Sequence, residues 1–320
     1  MQFPDLDRYP YLAYDTETTG LNYPVDRVFG FTIATPDGRS EYWDIRQRPD
    51  AWAWFARAIS DYQGRIICHN AFFDYRMTFA TGIVMPINAI DDTQIRAAMI
   101  DEHLRQYSLD ALSSIYLNDA KISDIYEALS DLYGGRATRS VQMVNLHRAP
   151  PDVVAPYAMK DSALTLRLWE WQEEAINRAD ADHPDLVPLR NAIEFERQLM
   201  PRIIMMGCTG IRVDLDAASR AVDETTKEID IATARLKELT GRTINVNSSP
   251  QIKDLFQPTR DEIGNWVIGN VVLETTGGGG PSLDAAALRA LGENDERAHL
   301  IGSIRSLIKT RDTFLSGHVI

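Results

Sequence analysis

Asp15-Thr16-Glu17-Thr18 closes the first apolar run of the chain, Tyr11–Asp15. In an extended strand, residues two apart project to the same face, so Asp15 and Glu17 would hold their carboxylates side by side. Like charges that close are costly unless a cation lies between them, and hard oxygen ligands select Mg²⁺ or Mn²⁺ over zinc. Taken alone, the triplet also reads as a pair of solvated surface acids. A second acid stands in His69-Asn70-Ala71-Phe72-Phe73-Asp74, where four-residue spacing on a helix puts Asn70 and Asp74 on one face. The alternative there is a helix cap at Asn70 and an exposed acid at Asp74. A third pair, Tyr157 and Asp161, repeats the spacing. A phenol one turn from a metal-bound carboxylate can hold a water in line for attack on phosphorus; by itself Tyr157 also reads as a core tyrosine.

These residues need a sheet and at least two helices to position them. Tyr11–Asp15, Arg27–Ala34 and Ser40–Ile45 read as three sequential antiparallel strands, the last two joined by the turn residues Pro36-Asp37-Gly38. Ala51–Tyr62 has helical spacing, and Arg65–His69 reads as a buried strand opening into the helix of Asp74. From Asp92 the pattern is largely helical. Ser108 caps a helix to Leu117 with Leu109, Leu112, Ile115 and Tyr116 on one face. Tyr157 and Asp161 lie in a helix with apolar residues at Leu164, Leu166 and Leu168.

Ala179–Pro188 is acidic, contains proline and has no apolar period, which places a domain boundary there. Beyond it the spacing predicts a helix with Leu189, Ile193, Leu199 and Ile203 inward, bent or interrupted at Pro201. A long helix at Ala217–Leu239 closes at Gly241, and Asp295–Leu315 reads as one helix with several basic residues. The four glycines Gly277–Gly280 suit no element interior.

The chain has 320 residues, 44% hydrophobic and 25% charged, the balance of an ordinary soluble globular protein. Cys68 and Cys208 lack metal-ligand spacing and read as reduced thiols. No apolar stretch approaches the ~20 residues that span a bilayer, and the N-terminus is neither a signal nor a transit sequence, so a cytoplasmic protein is expected. A net charge of −13 argues against a protein that coats duplex DNA, but not against one that grips a strand end with help from metal ions.

The three acidic patterns, in this order on strand, helix start and helix, resemble the motifs of the RNase H-like 3′→5′ exonucleases, in the subgroup whose third motif carries tyrosine. Asp92-Thr93 and Gln106-Tyr107-Ser108-Leu109-Asp110-Ala111-Leu112 resemble the stretch between the second and third motifs. The resemblance implies an α/β fold, a mixed β-sheet flanked by helices. It also implies two divalent ions, Mg²⁺ or Mn²⁺, with Asp15, Glu17 and Asp161 holding one and Asp15 with Asp74 the other. Tyr157 would orient the attacking water. Thr18, Leu21, Asn70 and Phe73 would contact the DNA, Leu21 as a wedge against the terminal bases or, equally, as a core leucine.

The second half resembles family A (polymerase I-like) DNA polymerases of phage type. Glu196–Gly207 and Gly210-Ile211-Arg212-Val213-Asp214 are similar to the junction after the proofreading domain. Asn245–Gln251, Gly280-Pro281-Ser282 and Ile308–Phe314 are similar to thumb-region segments, with Leu283 where a threonine is usual. Residues 1–180 are thus expected to be an exonuclease domain and residues 181–320 a mostly helical, partial palm and thumb-like region. Nothing resembles the catalytic palm motifs or the fingers. A truncated or split polymerase is expected, acting on a single-stranded 3′ end or a frayed primer terminus, in the host cytoplasm if viral, with a separate palm-and-fingers polypeptide as a partner. An RNase D-like exoribonuclease and a non-catalytic scaffold are the alternatives. Primer extension by the purified chain is expected to yield no nucleotide incorporation; extended product would contradict this.

Overall fold

The computed structural model describes residues 3–121 and 124–319. Alternation along the first strand decides how the surrounding elements are used. β1 (Tyr11–Thr18) is the middle of a five-stranded sheet of order β3-β2-β1-β4-β5. β2 (Val28–Ala34) and β3 (Ser40–Asp44) extend it antiparallel on one side. β4 (Arg65–Cys68) and β5 (Ile90–Asp92) extend it in parallel on the other. This mixed sheet with flanking helices is the RNase H-like arrangement expected from the motifs. The β2–β3 turn closes with the Gly38 N–H donating to the Thr35 carbonyl at 3.0 Å. Gly38 sits at φ 83°, where a side chain would be strained.

Leu12 and Tyr14 face one side of the sheet. They pack with Phe31 and Ile66, with Phe55 and Ile59 of α1 (Pro49–Ser60), and with Met77 of α2 (Ala71–Ala80). Ala13 faces the other side with Ala34, Ile67 and Leu166. Leu166 belongs to α7 (Pro151–Asp182), and the small alanines let that helix lie close against the strands. Asp15 and Glu17 continue the register of Ala13, toward α7, while Thr16 continues that of Tyr14, toward α2.

Between β5 and α7 run α3 (Thr93–Ile100), α4 (Leu109–Leu117), α5 (Asp124–Tyr133) and the single turn α6 (Arg139–Gln142). Ser108 caps α4, its hydroxyl accepting from the Ala111 N–H at 3.3 Å. Leu109 and Leu112 are buried with Leu164 and Leu168 of α7, whereas Ile115 is exposed. The apolar face of α4 is narrower than expected because α7 covers one side of it.

The chain divides into compact units Met1–Gly210 and Ile211–Ile320, thirty residues later than the boundary expected at 180. α7 continues through the acidic stretch to Asp182. α8 (Leu189–Thr209) then buries Met200 and Ile204 in the same core as Leu12 and Tyr14. Ile193 is inward as expected, but beyond it the inward face is Met200 and Ile204, one position on from the expected Leu199 and Ile203, which are exposed. Pro201 lies inside the helix without ending it.

In the second unit, α9 (Leu215–Thr240) is capped by Asp214 and ends at Gly241, φ 68°. α10 (Ser249–Phe256) precedes a small antiparallel sheet of β6 (Thr259–Arg260), β7 (Trp266–Ile268) and β8 (Val271–Leu273). Strands of two and three residues are too short to show alternation in a sequence. α11 (Ala285–Gly292) and α12 (Glu296–Ile308) follow, and the chain continues from Lys309 to Val319 in a wider, π-type winding. Ile229, Leu236, Ile252, Leu288 and Ile301 form the core of this unit. Both cysteines are free, and among the described residues no helix is long and apolar enough to cross a membrane.

The core of the first unit offers a direct test. Phe55 is 0% exposed, and its ring stacks on Tyr14 with centroids 4.9 Å apart. Phe55→Ala is expected to cost about 3–5 kcal/mol, read from the shift of the urea unfolding midpoint; a loss below about 1 kcal/mol would contradict this packing.

Candidate active site

The last residues of β1 line a cavity of about 1170 Å³. Asp15 and Glu17 reach it from the face covered by α7, and Asp161 and Tyr157 reach it from α7 itself. Asp74 comes from α2, on the opposite face of the sheet. The β1 edge bridges the two sides, since Asp74 Oδ1 accepts from the Thr16 N–H at 3.1 Å and from the Thr16 hydroxyl at 2.7 Å. All four expected carboxylates therefore line one cavity. Glu17, Asp74 and Asp161 are buried and Asp15 is half-buried, so none projects into bulk solvent.

Burial and mutual crowding shift each of these acids. Burial raises the Asp15 carboxyl well above the usual range, and Asp74, Glu17 and Asp161 push it the same way. Burial, with Asp161 beside it, pushes Glu17 up to about 8. Asp74 is pushed up to about 7 by burial, against the two hydrogen bonds from Thr16. Asp161 is raised by burial and drawn back by Lys121, whose ammonium donates to Asp161 Oδ2 at 2.5 Å. The phenol of Tyr157 is raised well above its ordinary value, by burial first and then by Asp161 and Glu17, so it stays protonated.

Of the residues expected to meet nucleic acid, Thr18, Leu21 and Phe73 line the cavity. Leu21 is 80% exposed, which excludes the core-leucine alternative. Asn70 is not among the lining residues. It is exposed, at the N-terminal edge of α2 in the left-handed region with φ 70°, and its side chain makes no cap. Asp92 caps that helix instead, accepting from the N–H groups of Asn70 at 3.1 Å and Ala71 at 2.8 Å. Asn70 and Asp74 thus do not share a helix face as their spacing suggested, because the chain turns before the helix begins.

Sequence reasoning missed Lys121, His69 and the wall formed by Arg139, Val144 and His147. His69 Nδ1 lies 2.8 Å from the Thr93 hydroxyl, while its Nε2 is buried without a partner among the described residues. Burial, helped by Lys121, lowers His69 to about 4 and leaves it neutral. His69 stood beside the second motif and could have been found from that position. Lys121 lies 40 residues from Asp161 and carried no signal.

Can these residues hold a metal? Among the described residues, no three His, Cys, Asp or Glu side chains are grouped as they would be around an ion. Thr16 engages Asp74, and the Lys121 ammonium pairs with Asp161. The donor set nonetheless suits a hard cation, being all carboxylate oxygen. Among the described residues Asp161 Oδ1 is buried and accepts no hydrogen bond of good geometry, although the Tyr157 phenol acts on the same carboxyl. The residues fit a divalent ion of the Mg²⁺ or Mn²⁺ class once the side chains converge.

The raised carboxyls set a pH dependence for the metal-free protein. Glu17 titrates at about 8 and Asp74 at about 7 in the folded state, against roughly 4 for both in the unfolded chain. Between those limits the folded protein keeps protons that the unfolded chain has lost, so stability falls as pH rises. The melting temperature in chelator is expected to drop from about pH 5 to about pH 8, and Mn²⁺ is expected to reverse the drop at the upper end. A melting temperature that climbed across this interval in chelator would contradict the electrostatics.

The 3′-5′ exonuclease model of the DNA polymerase A type matches residues 3–174. DNA polymerase DpoZ of Vibrio phage phiVC8 is 43% identical over 332 residues, covering 100% of this chain and 51% of that protein. DNA polymerase DpoZ of Acinetobacter phage SH-Ab 15497 is 42% identical over 322 residues, covering 100% and 50%. The chain therefore spans about half the length of these relatives. DNA polymerase I of Chloroflexus aurantiacus is 25% identical over 313 residues, covering 96% of this chain and 31% of that one. Among solved structures, the polymerase domain of Pol1 from M. smegmatis with DNA primer-template and dNTP has a TM-score of 0.67 at 16% identity. It covers 96% of this chain and 46% of that chain, a likeness of fold alone. The family model spans more than half the chain, on the stretch that supplies all four carboxylates, and the chain belongs to the 3′-5′ exonuclease family of the A-type DNA polymerases.

Proposed function

We propose that the first unit removes nucleoside 5′-monophosphates, one at a time, from a single-stranded DNA 3′ end or a frayed primer terminus, by two-metal hydrolysis. One observation carries this reading: four carboxylates from three distant stretches of sequence line a single cavity, with Asp15 crowded by the other three. Asp15, Glu17 and Asp161 would hold one Mg²⁺ or Mn²⁺ and Asp15 with Asp74 a second, and the bound ions would supply positive charge for water activation and for the leaving 3′ oxygen.

The remaining work falls to the chain's own side chains. Tyr157, protonated at neutral pH, can hold the attacking water through its hydroxyl without giving up its proton. Leu21 and Phe73 offer apolar surface to the terminal bases, which favours an unstacked end over a paired one. Arg139, which lines the same cavity, can meet a backbone phosphate. Similarity to phage DNA polymerases supports DNA as the substrate and proofreading as the setting, in the cytoplasm of the host. The second unit would then be the thumb-like region, working with palm and fingers carried on the same or a separate polypeptide.

The test is turnover of a single strand carrying a label near its 3′ end. Asp15→Ala is expected to lower the rate by about a thousandfold or more. Tyr157→Phe is expected to lower it by about a hundredfold or less, since the phenol orients water rather than moving its proton. An undiminished Asp15→Ala rate would remove the site, and faster hydrolysis of RNA than of DNA would move the protein to the exoribonucleases.

A further inference from the structure

Lys121 is the one lysine lining the carboxylate cavity among the described residues, and its ammonium is not spent on a surface pair. It donates to Asp161 Oδ2 at 2.5 Å, and it lies 5.7 Å from the centre of the Tyr157 ring. Asp15 and Glu17 both act on it electrostatically. Around it, Arg139 and His69 line the same cavity. The position of Lys121 is built, not incidental. Two residues earlier, Asp119 pairs with Lys160 at 2.7 Å and with Arg167 at 2.5 Å, both on α7, which fastens the loop to the helix that carries Asp161. The Lys121 N–H also donates to Asp110 Oδ1 at 3.1 Å, tying the loop to α4.

We infer that Lys121 is a resident counter-cation of the nuclease site, holding Asp161 in the metal-free protein and competing with the divalent ion for that carboxylate. This rests on the two-metal reading above. A divalent ion on either oxygen of Asp161 would lie close to the Lys121 ammonium and be strongly repelled by it. Loading the site therefore requires Lys121 to release Asp161, and the lysine sets the concentration of metal at which the four acids are drawn together.

The experiment is calorimetric titration of the chelator-stripped protein with Mn²⁺ alone, which reads binding without turnover. Lys121→Met is expected to bind Mn²⁺ roughly tenfold or more tightly than the unaltered protein, and Lys121→Arg, which keeps the charge, to stay near it. A merely structural lysine would weaken binding or leave it unchanged in Lys121→Met, and either result overturns the inference while leaving the exonuclease reading intact. Absence of any Mn²⁺ binding by the unaltered protein would overturn both. Should Lys121→Met fail to fold, the unaltered protein still decides: with ¹⁵N-labelled lysine, the Lys121 Nζ signal is expected to shift as Mg²⁺ is added, and an unmoved signal overturns the inference.

Discussion

Four carboxyl groups gathered around one cavity repel one another, and the fold has to absorb that repulsion before any chemistry is possible. It does so with apolar mass on both sides of the sheet. Tyr14, Phe31 and Phe55 pack beneath, and Ala13, Ala34 and Leu166 seat α7 above. The acids occupy the end of β1, where this packing gives way to the cavity. Protons, a lysine or metal ions can each relieve the same strain, and they exclude one another in doing so. The charge state of this small region is thus the variable to which stability, metal affinity and nuclease action are all linked.

Much of this was legible in the residues because it is periodic and local. Asp15 and Glu17 obey the two-residue alternation of a strand, and Tyr157 and Asp161 obey the turn of a helix. Both rules survive folding unchanged. What the sequence hid was non-local. Lys121 meets Asp161 across 40 residues, and no pattern along the chain announces such a meeting. Asn70 misled because four-residue spacing implies a shared face only inside a helix, and its left-handed backbone leaves it outside. The compact units part at Gly210 although the exonuclease model ends at residue 174, because α8 buries Met200 and Ile204 in the core of the first unit.

A net charge of −13 sits oddly with the polyanionic substrate proposed above, and the lining of the cavity offers a way for the two to coexist. Arg139 and Lys121 line the cavity together with the acids that, on that proposal, would receive the cations. Phosphate attraction confined to a few groups leaves the remaining surface free to stay acidic, which favours grip at a chain end over adhesion along a duplex.

Asp92 ends β5 and accepts from the N–H groups of Asn70 and Ala71 at the start of α2 and of Gln94 at 2.8 Å in the first turn of α3. One carboxylate thereby locks two helices to a single strand end, and the helix that bears Asp74 inherits its placement from the edge of the sheet. This partitions how the family can drift. The surface turn between α2 and β5 can lengthen at small entropic cost. The few positions around Asp92 must change in concert or not at all, because a slip there would misplace an acid more than a dozen residues upstream.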